Sequence, residues 1–280
     1  MALVAPPSVG LDAFEFHIHW EVLGLVVALA IGYLYGIRVL GPRNAPASEP
    51  TVTRRQTTWF ATGLTVLLLV ETWPIHDIGE RSLFTFHMVE HLALALIVPP
   101  ALIKGTPRWL MQLVVRPILP VLRFVTRPLI AIGLFNAVLA LIHIPAVLGA
   151  MLSSEAVHFT LHLLLLVSAA IMWWPVIGPV PELPKLRPEM AMGYLFLQSL
   201  VPTIPASFLT FADDVVYKAY EGFPRLWGFD ILNDQLVAGL IMKIGGGIIL
   251  WTAIAVIFFK WAAAEERSGS ARTGAVGARG

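Results

Sequence analysis

The chain has 280 residues, of which 57% are hydrophobic and 13% charged, and its mean hydropathy is +0.77. Because soluble domains carry ~25% charged residues, this composition excludes a soluble globular enzyme. A formal net charge of +1 gives no basis for nucleic-acid binding, and the absence of Cys excludes disulfides, thiolate metal sites and iron–sulfur clusters. We therefore predict an all-α, polytopic protein embedded in a lipid bilayer.

Seven apolar stretches are long enough to cross a membrane, since a spanning helix needs ~20 mostly apolar residues. In chain order they cover residues 20–40, 57–73, 84–103, 129–148, 157–177, 190–211 and 236–259. Residues 1–37 contain no Lys or Arg, so we expect no cleaved signal peptide and an external segment at 1–19. Residues 20–261 form the predicted seven-helix membrane domain. The Ala-, Gly-, Ser- and Arg-rich residues 262–280 are predicted to be disordered.

The distribution of positive residues predicts the orientation of the chain in the membrane. The loops after the first, third and fifth predicted helices, together with the tail, contain fifteen of the 19 Lys and Arg residues. The loops on the opposite side contain three, and Lys243 lies inside the seventh helix. We expect the N-terminus outside and the C-terminus in the cytoplasm of a multi-pass protein of the inner (plasma) membrane.

All eight histidines fall toward the predicted outer side of the membrane. His87 and His91 are four residues apart in the third predicted helix, as are His158 and His162 in the fifth, so each pair shares one helical face. Two such pairs on separate helices resemble a metal or haem site. Because imidazoles exposed to lipid are costly, we predict that the two pairs face one another around a shared site.

Three further positions accompany these pairs. His143, near the outer end of the fourth predicted helix, is a fifth candidate metal ligand. Glu90 lies on the same helical face as the pair in the third helix, where it can tune charge or protonation. Glu155 precedes His158 by three residues and is a candidate acceptor for that imidazole.

Residues 87–91 also match a metalloprotease pattern of two His and one Glu. We do not adopt that interpretation, because the pattern lies inside an apolar span and no third carboxylate ligand is evident downstream. The sequence contains no recognisable nucleophile constellation, so an enzyme is not expected. The other histidines, His17, His19 and His76, are interpreted as ordinary interfacial groups.

Several short motifs follow one another along the chain: Phe86-His87-Met88-Val89-Glu90-His91, Pro99-Pro100, Gly105-Thr106-Pro107, His143-Ile144-Pro145, His158 with His162, Trp173-Trp174-Pro175, Asp234-Gln235 and Ala238-Gly239. Together they resemble the CtaG family of cytochrome c oxidase assembly factors, the type linked to caa3 oxidases. The resemblance runs from about Trp20 to Phe259. It implies a seven-helix membrane protein that works with oxidase subunits and helps copper reach its site.

Two positions depart from that family's pattern, in which Gln is usual at Glu90 and Trp at Lys243. Both residues lie about six or seven residues below the outer starts of their predicted helices, which corresponds to depths of roughly 9 and 10 Å. An unpaired charge at that depth costs several kcal/mol. We therefore predict a contact between Glu90 and Lys243 beside the histidines.

Three functions remain open from the sequence. The first is a copper-handling assembly factor, although imidazole ligands suit Cu(II) and Zn alike. The second is a membrane cytochrome in which one His from each pair ligates haem. It is the weaker choice, because no outer-side Arg except Arg81 lies near the histidines to pair with the propionates. The third is a cofactor-free scaffold or accessory subunit of an oxidase complex.

Overall fold

The computed structural model describes the backbone of residues 16–277 and the side chains of residues 16–268. The regular secondary structure of this range is helical. In chain order the helices are α1 (Trp20–Asn44), α2 (Arg54–Val70), α3 (Ile75–Arg81), α4 (Phe84–Gly105), α5 (Arg108–Val115), α6 (Leu119–Val125), α7 (Pro128–Ile142), α8 (Pro145–Ser153), α9 (Glu155–Ile177), α10 (Pro188–Leu200), α11 (Thr203–Thr210) and α12 (residues 231–277). Short 3-10 turns cover Arg116–Ile118, Lys218–Gly222 and Leu226–Gly228.

Within the described residues, six helical segments are long and apolar enough to cross a membrane, and a seventh is possible if one bent pair counts as a span. The six comprise α1, α2 with α3, α4, α9, α10 with α11, and α12 to Ser268. The all-helical membrane fold is therefore confirmed. The orientation of the helices in the bilayer stays a prediction.

The fourth predicted span, residues 129–148, is not one continuous helix. The helix α7 ends at Ile142, and α8 begins at Pro145. Ile144 has an extended backbone with ψ 126°, because a residue that precedes proline is disfavoured in the helical region. On its other side α7 meets the α5–α6 segment at 89°, so the seventh span depends on this bent pair.

The C-terminal tail also differs from the sequence-based expectation. The described backbone of α12 stays helical to Gly277, where the sequence predicted disorder from residue 262 onward. Residues 262–267 are Ala, Glu and Arg, which are strong helix formers and extend the preceding helix. The predicted external segment at 1–19 lies outside the described residues, except for residues 16–19.

Three of the described spanning helices contain a π-helical turn, and in α1 it covers Gly36–Leu40. In α4 it covers Ala93–Ile97, directly after the turn that holds His91, and in α12 it covers Ile241–Gly245. A π turn adds one residue to a turn, so it changes the direction in which later side chains point. The helical faces of α4 and α12 therefore cannot be read from a regular 3.6-residue period.

A long-range cap fixes the start of α4. No side chain of the preceding residue caps this helix. Instead Asp234 of α12 accepts hydrogen bonds from the backbone N–H groups of Phe84 (2.8 Å) and Thr85 (2.9 Å). The same carboxylate pairs with the Arg225 guanidinium at 2.8 Å. Since the first N–H groups of a helix have no partner inside it, Asp234 satisfies two of these donors and sets the position of α4.

The short helix α3 packs very closely on α4. A Cβ added at Gly79 would lie 3.0 Å from the backbone nitrogen of His87. The Tyr220 hydroxyl donates to the Gly79 carbonyl at 2.7 Å and holds α3 from the other side. This close approach brings the side chains of α3 against the polar face of α4.

Candidate metal centre

The two predicted histidine pairs meet in the interior of the protein. The Nε2 atom of His162 lies 3.1 Å from His91 Nε2 and 2.9 Å from His158 Nε2. The ring of His87 is 5.6 Å from that of His162, between centroids. All four side chains are buried, with at most 4% of each residue exposed. The prediction that α4 and α9 turn their histidines toward one another is confirmed.

Carboxylates orient the two imidazoles of α9. Glu71, just after α2, lies with its Oε1 atom 2.9 Å from His162 Nδ1. Glu80 of α3 contacts His158 Nδ1 in the same way. An imidazole whose Nδ1–H donates to a carboxylate has its Nε2 lone pair free to bind a metal. The Nε2 atoms that are left free in this way are the two that approach each other.

His76 of α3 is also part of the site. Its Nδ1 atom lies 2.5 Å from Glu90 Oε1, and its ring is 4.9 Å from that of His158. Only 6% of His76 is exposed, so the interpretation of this residue as an ordinary interfacial group is wrong. The four-residue spacing from His76 to Glu80 was the available signal, but the helix α3 is too short to stand out by hydropathy.

Two overlapping groups of side chains could hold a metal ion, and His162 belongs to both. In each group the candidate ligand atoms lie within 4.8 Å of one another, and every residue is buried. The groups are His76 with Glu90, His158 and His162, and His87 with His91 and His162. We refer to these six residues together as the histidine cluster.

Several imidazole nitrogens of this region have no hydrogen-bond partner within the described residues. They are both ring nitrogens of His87, Nδ1 of His91, Nε2 of His143 and Nδ1 of His158, of which the last contacts Glu80 as an ion pair. Buried polar atoms in folded proteins are nearly always hydrogen-bonded, so each exception requires an explanation. Unpartnered nitrogens on neighbouring imidazoles are donors that a cation could bind.

His143 lies at the edge of the cluster, at the break between α7 and α8. Its Nδ1–H donates to the Leu139 carbonyl at 2.7 Å, and its ring centroid is 5.8 Å from that of His91. The structure therefore brings this predicted ligand next to the cluster, but not into either group of converging atoms.

Glu155 does not take the role that the sequence suggested. It is exposed, and no hydrogen bond joins it to His158 among the described residues, where Glu80 is the carboxylate in contact. Glu155 instead lines a small cavity that is also lined by Glu21, Glu71 and Glu80. We call this the acidic cavity, and it adjoins the cluster at His76 and His158.

The predicted contact between Glu90 and Lys243 is wrong. The Lys243 ammonium donates to Ser207 Oγ at 3.4 Å and lies 5.6 Å from the centre of the Phe211 ring. Glu90 contacts His76 instead, and no ion pair joins it to Lys243 among the described side chains. The depth estimate assumed regular helices, whereas Lys243 lies within the π turn of α12 and points toward α11.

The remaining two histidines, His17 and His19, lie near the N-terminal end of α1. His19 is 8% exposed, lies 3.3 Å from an Asp77 carboxylate oxygen and has its ring 4.6 Å from that of His76. Its hydrogen bond with Asp77 raises the pKa of His19, despite the opposing effect of burial. The interfacial interpretation therefore fails for His19, whereas the His17 side chain is 37% exposed at the edge of the protein.

Comparison with known proteins identifies the family of the chain. A family model described as cytochrome c oxidase caa3 assembly factor (Caa3_CtaG) matches residues 31–264. That range includes every member of the histidine cluster and the Asp234 cap. No curated protein and no solved structure matches the chain. Because the matched range covers most of its length, the chain belongs to the family of cytochrome c oxidase caa3 assembly factors.

Proposed function

We propose that this assembly factor handles copper as its cargo and holds it at the histidine cluster during maturation of a caa3-type oxidase. The observation that carries the proposal is the convergence of buried imidazole nitrogens on His162. Assembly rather than catalysis is the role that the family description supports.

The spacing of the nitrogens fits ligands of a single ion. Two imidazoles that each bind a metal at ~2.0–2.1 Å have nitrogens about 2.9–3.3 Å apart in square-planar or tetrahedral geometry. The distances from His162 Nε2 to its two neighbours, 2.9 and 3.1 Å, agree with that spacing. The carboxylates on the far sides of His158 and His162 supply the orientation that metal-bound imidazoles usually have.

The same distances argue against a haem between the two helices. Axial imidazoles on opposite faces of a haem iron have nitrogens about 4 Å apart, twice the ~2 Å length of one metal–imidazole bond. The porphyrin plane must also pass between them, and His91 and His162 approach too closely for that. A bis-histidine cytochrome is therefore the weaker function.

We further propose that the cluster faces the outside of the cell membrane, where oxidase subunits receive their copper. Arg54 begins α2 and Lys104 is near the end of α4, so both lie at the helix ends far from the cluster. Because Lys and Arg concentrate on the cytoplasmic side, the opposite ends of these helices face outward. The acidic cavity then offers a cation a negatively charged approach to His76 and His158.

The experiment is elemental analysis of the full-length protein purified from membranes of cells supplied with copper. We expect about one copper per chain in the wild type, and strong loss in His162→Ala, because His162 belongs to both ligand groups. His17→Ala is the matched control and should keep its copper. Equal copper content in all three proteins, or none in the wild type, would favour a cofactor-free scaffold, and an intense Soret band would favour the cytochrome.

A further inference from the structure

A second, larger cavity adjoins the histidine cluster on the side away from the carboxylates. It lies between α4, α7, α10, α11 and α12. His91 and His143 line it at the end nearest the cluster, and the rest of its wall is mostly apolar. We call this the inner cavity.

Two thioethers and two imidazoles line the inner cavity. Met88 and Met242 are 1% and 5% exposed, and both line the same space as His91 and His143. The two histidines contribute His91 Nδ1 and His143 Nε2, which have no hydrogen-bond partner within the described residues. Four of the residues that line the cavity therefore carry neutral donors, two of which are sulfur atoms and two of which are unsatisfied nitrogens.

The residues that line the inner cavity differ in charge from those that line the acidic cavity. No carboxylate is among the residues that line the inner cavity, and its one charged side chain is Lys243. A fixed ammonium repels a divalent cation twice as strongly as a monovalent cation at the same distance. The positive charge thus disfavours Cu(II) and Zn relative to Cu(I), and the two thioethers are ligands that select Cu(I).

From this arrangement we infer that the inner cavity is a binding site for Cu(I), with Met88, His91, His143 and Met242 as its ligands. This inference rests on the proposed function, because His91 belongs both to the cluster and to the wall of the inner cavity. It adds a specific oxidation state and a second location for the cargo. The histidine cluster, which includes Glu90 and is contacted by Glu71 and Glu80, accepts a divalent ion, and the inner cavity accepts the softer monovalent ion.

The test is a competition titration of the full-length protein in detergent, with Cu(I) held by a chromophoric chelator under a reductant. The variant is the double substitution Met88→Leu with Met242→Leu, which conserves side-chain volume and keeps the core filled. We expect at least a tenfold weaker affinity for Cu(I), and for Ag(I) as a redox-inert probe, with Cu(II) binding unchanged. Met151→Leu is the control, because Met151 is fully buried in α8 and does not line the cavity.

X-ray absorption of the Cu(I)-loaded wild type gives a readout that does not depend on the folding of a variant. We expect sulfur scatterers on Cu(I), which must come from Met because the chain has no Cys. Coordination by nitrogen and oxygen alone, or unchanged Cu(I) affinity in the double variant, would overturn the inner site. If Cu(II) binding still depends on His162 in that case, the proposed function stands, whereas a wild type that binds copper in neither state refutes both.

Discussion

Removing the Asp234 carboxylate should destabilise the protein more than any change at an exposed helix cap. Asp234 is 1% exposed, and it accepts two backbone N–H groups of α4 and one Arg225 N–H, all within 2.9 Å. Breaking a buried ion pair by removing one partner costs about 3–5 kcal/mol. The Arg225 side chain is 21% exposed, so water can hydrate its guanidinium once the carboxylate is removed. We therefore expect Asp234→Ala to lower the free energy of unfolding by about 3 kcal/mol, near the lower end of that range.

The free energy of unfolding is measured by denaturant titration in detergent micelles, and the copper content is a second readout. Asp230→Ala is the matched control, since Asp230 caps α12 from an exposed position and its loss should cost only about 1 kcal/mol. Because α4 carries His87 and His91, Asp234→Ala should also reduce copper retention. Equal destabilisation by the two substitutions would refute the conclusion that this buried carboxylate positions α4.

The remaining predictions concern Glu71, the packing of α3 against α4, and His19. Glu71→Gln should weaken copper binding about 10- to 100-fold, because it removes a carboxylate that orients a ligand; equilibrium dialysis should show no such loss for the exposed Glu155→Gln. Gly79→Ala should lower the unfolding free energy by about 1–3 kcal/mol, because the new methyl group meets the α4 backbone at 3.0 Å. Gly149→Ala, where a Cβ meets no atom within 4 Å, should change thermal stability little, and similar melting temperatures for both would contradict the packing argument. His19 has a raised pKa, so its stabilising contribution is complete below pH ~6.5, the ordinary pKa, and is lost as pH rises through the folded-state pKa. The stability of the wild type should therefore fall more steeply above this pH than that of His19→Gln, whereas parallel pH profiles would show that His19 makes no such contribution.

The helices and the contact between the two histidine pairs could be predicted from the sequence, because both depend on local regularities. Runs of apolar residues indicate spanning helices. A four-residue spacing places two imidazoles on one helical face, and the high cost of exposing them to lipid leaves the protein interior as their location. For His91 and His162 these local rules were sufficient, as the 3.1 Å contact shows.

The contacts of Glu71 and Glu80 with the histidines could not be predicted from the sequence, because they depend on long-range packing. Glu71 and Glu80 lie 91 and 78 positions before their imidazole partners, His162 and His158. Nothing local indicates that a seven-residue helix such as α3 folds against α4. The close approach at Gly79, which makes that packing possible, becomes evident only when both helices are in place.

The two departures from the family pattern act on different parts of the protein. Glu90 is fully buried in the histidine cluster, where its carboxyl group contacts His76. Lys243 lies on the wall of the inner cavity and donates to Ser207. An acid favours a cation of higher charge at the first location, and a base favours one of lower charge at the second. Since the two charges do not pair, we expect each to act on its own site: under the proposals above, Glu90 favours a divalent ion in the cluster, and Lys243 favours a monovalent ion in the inner cavity.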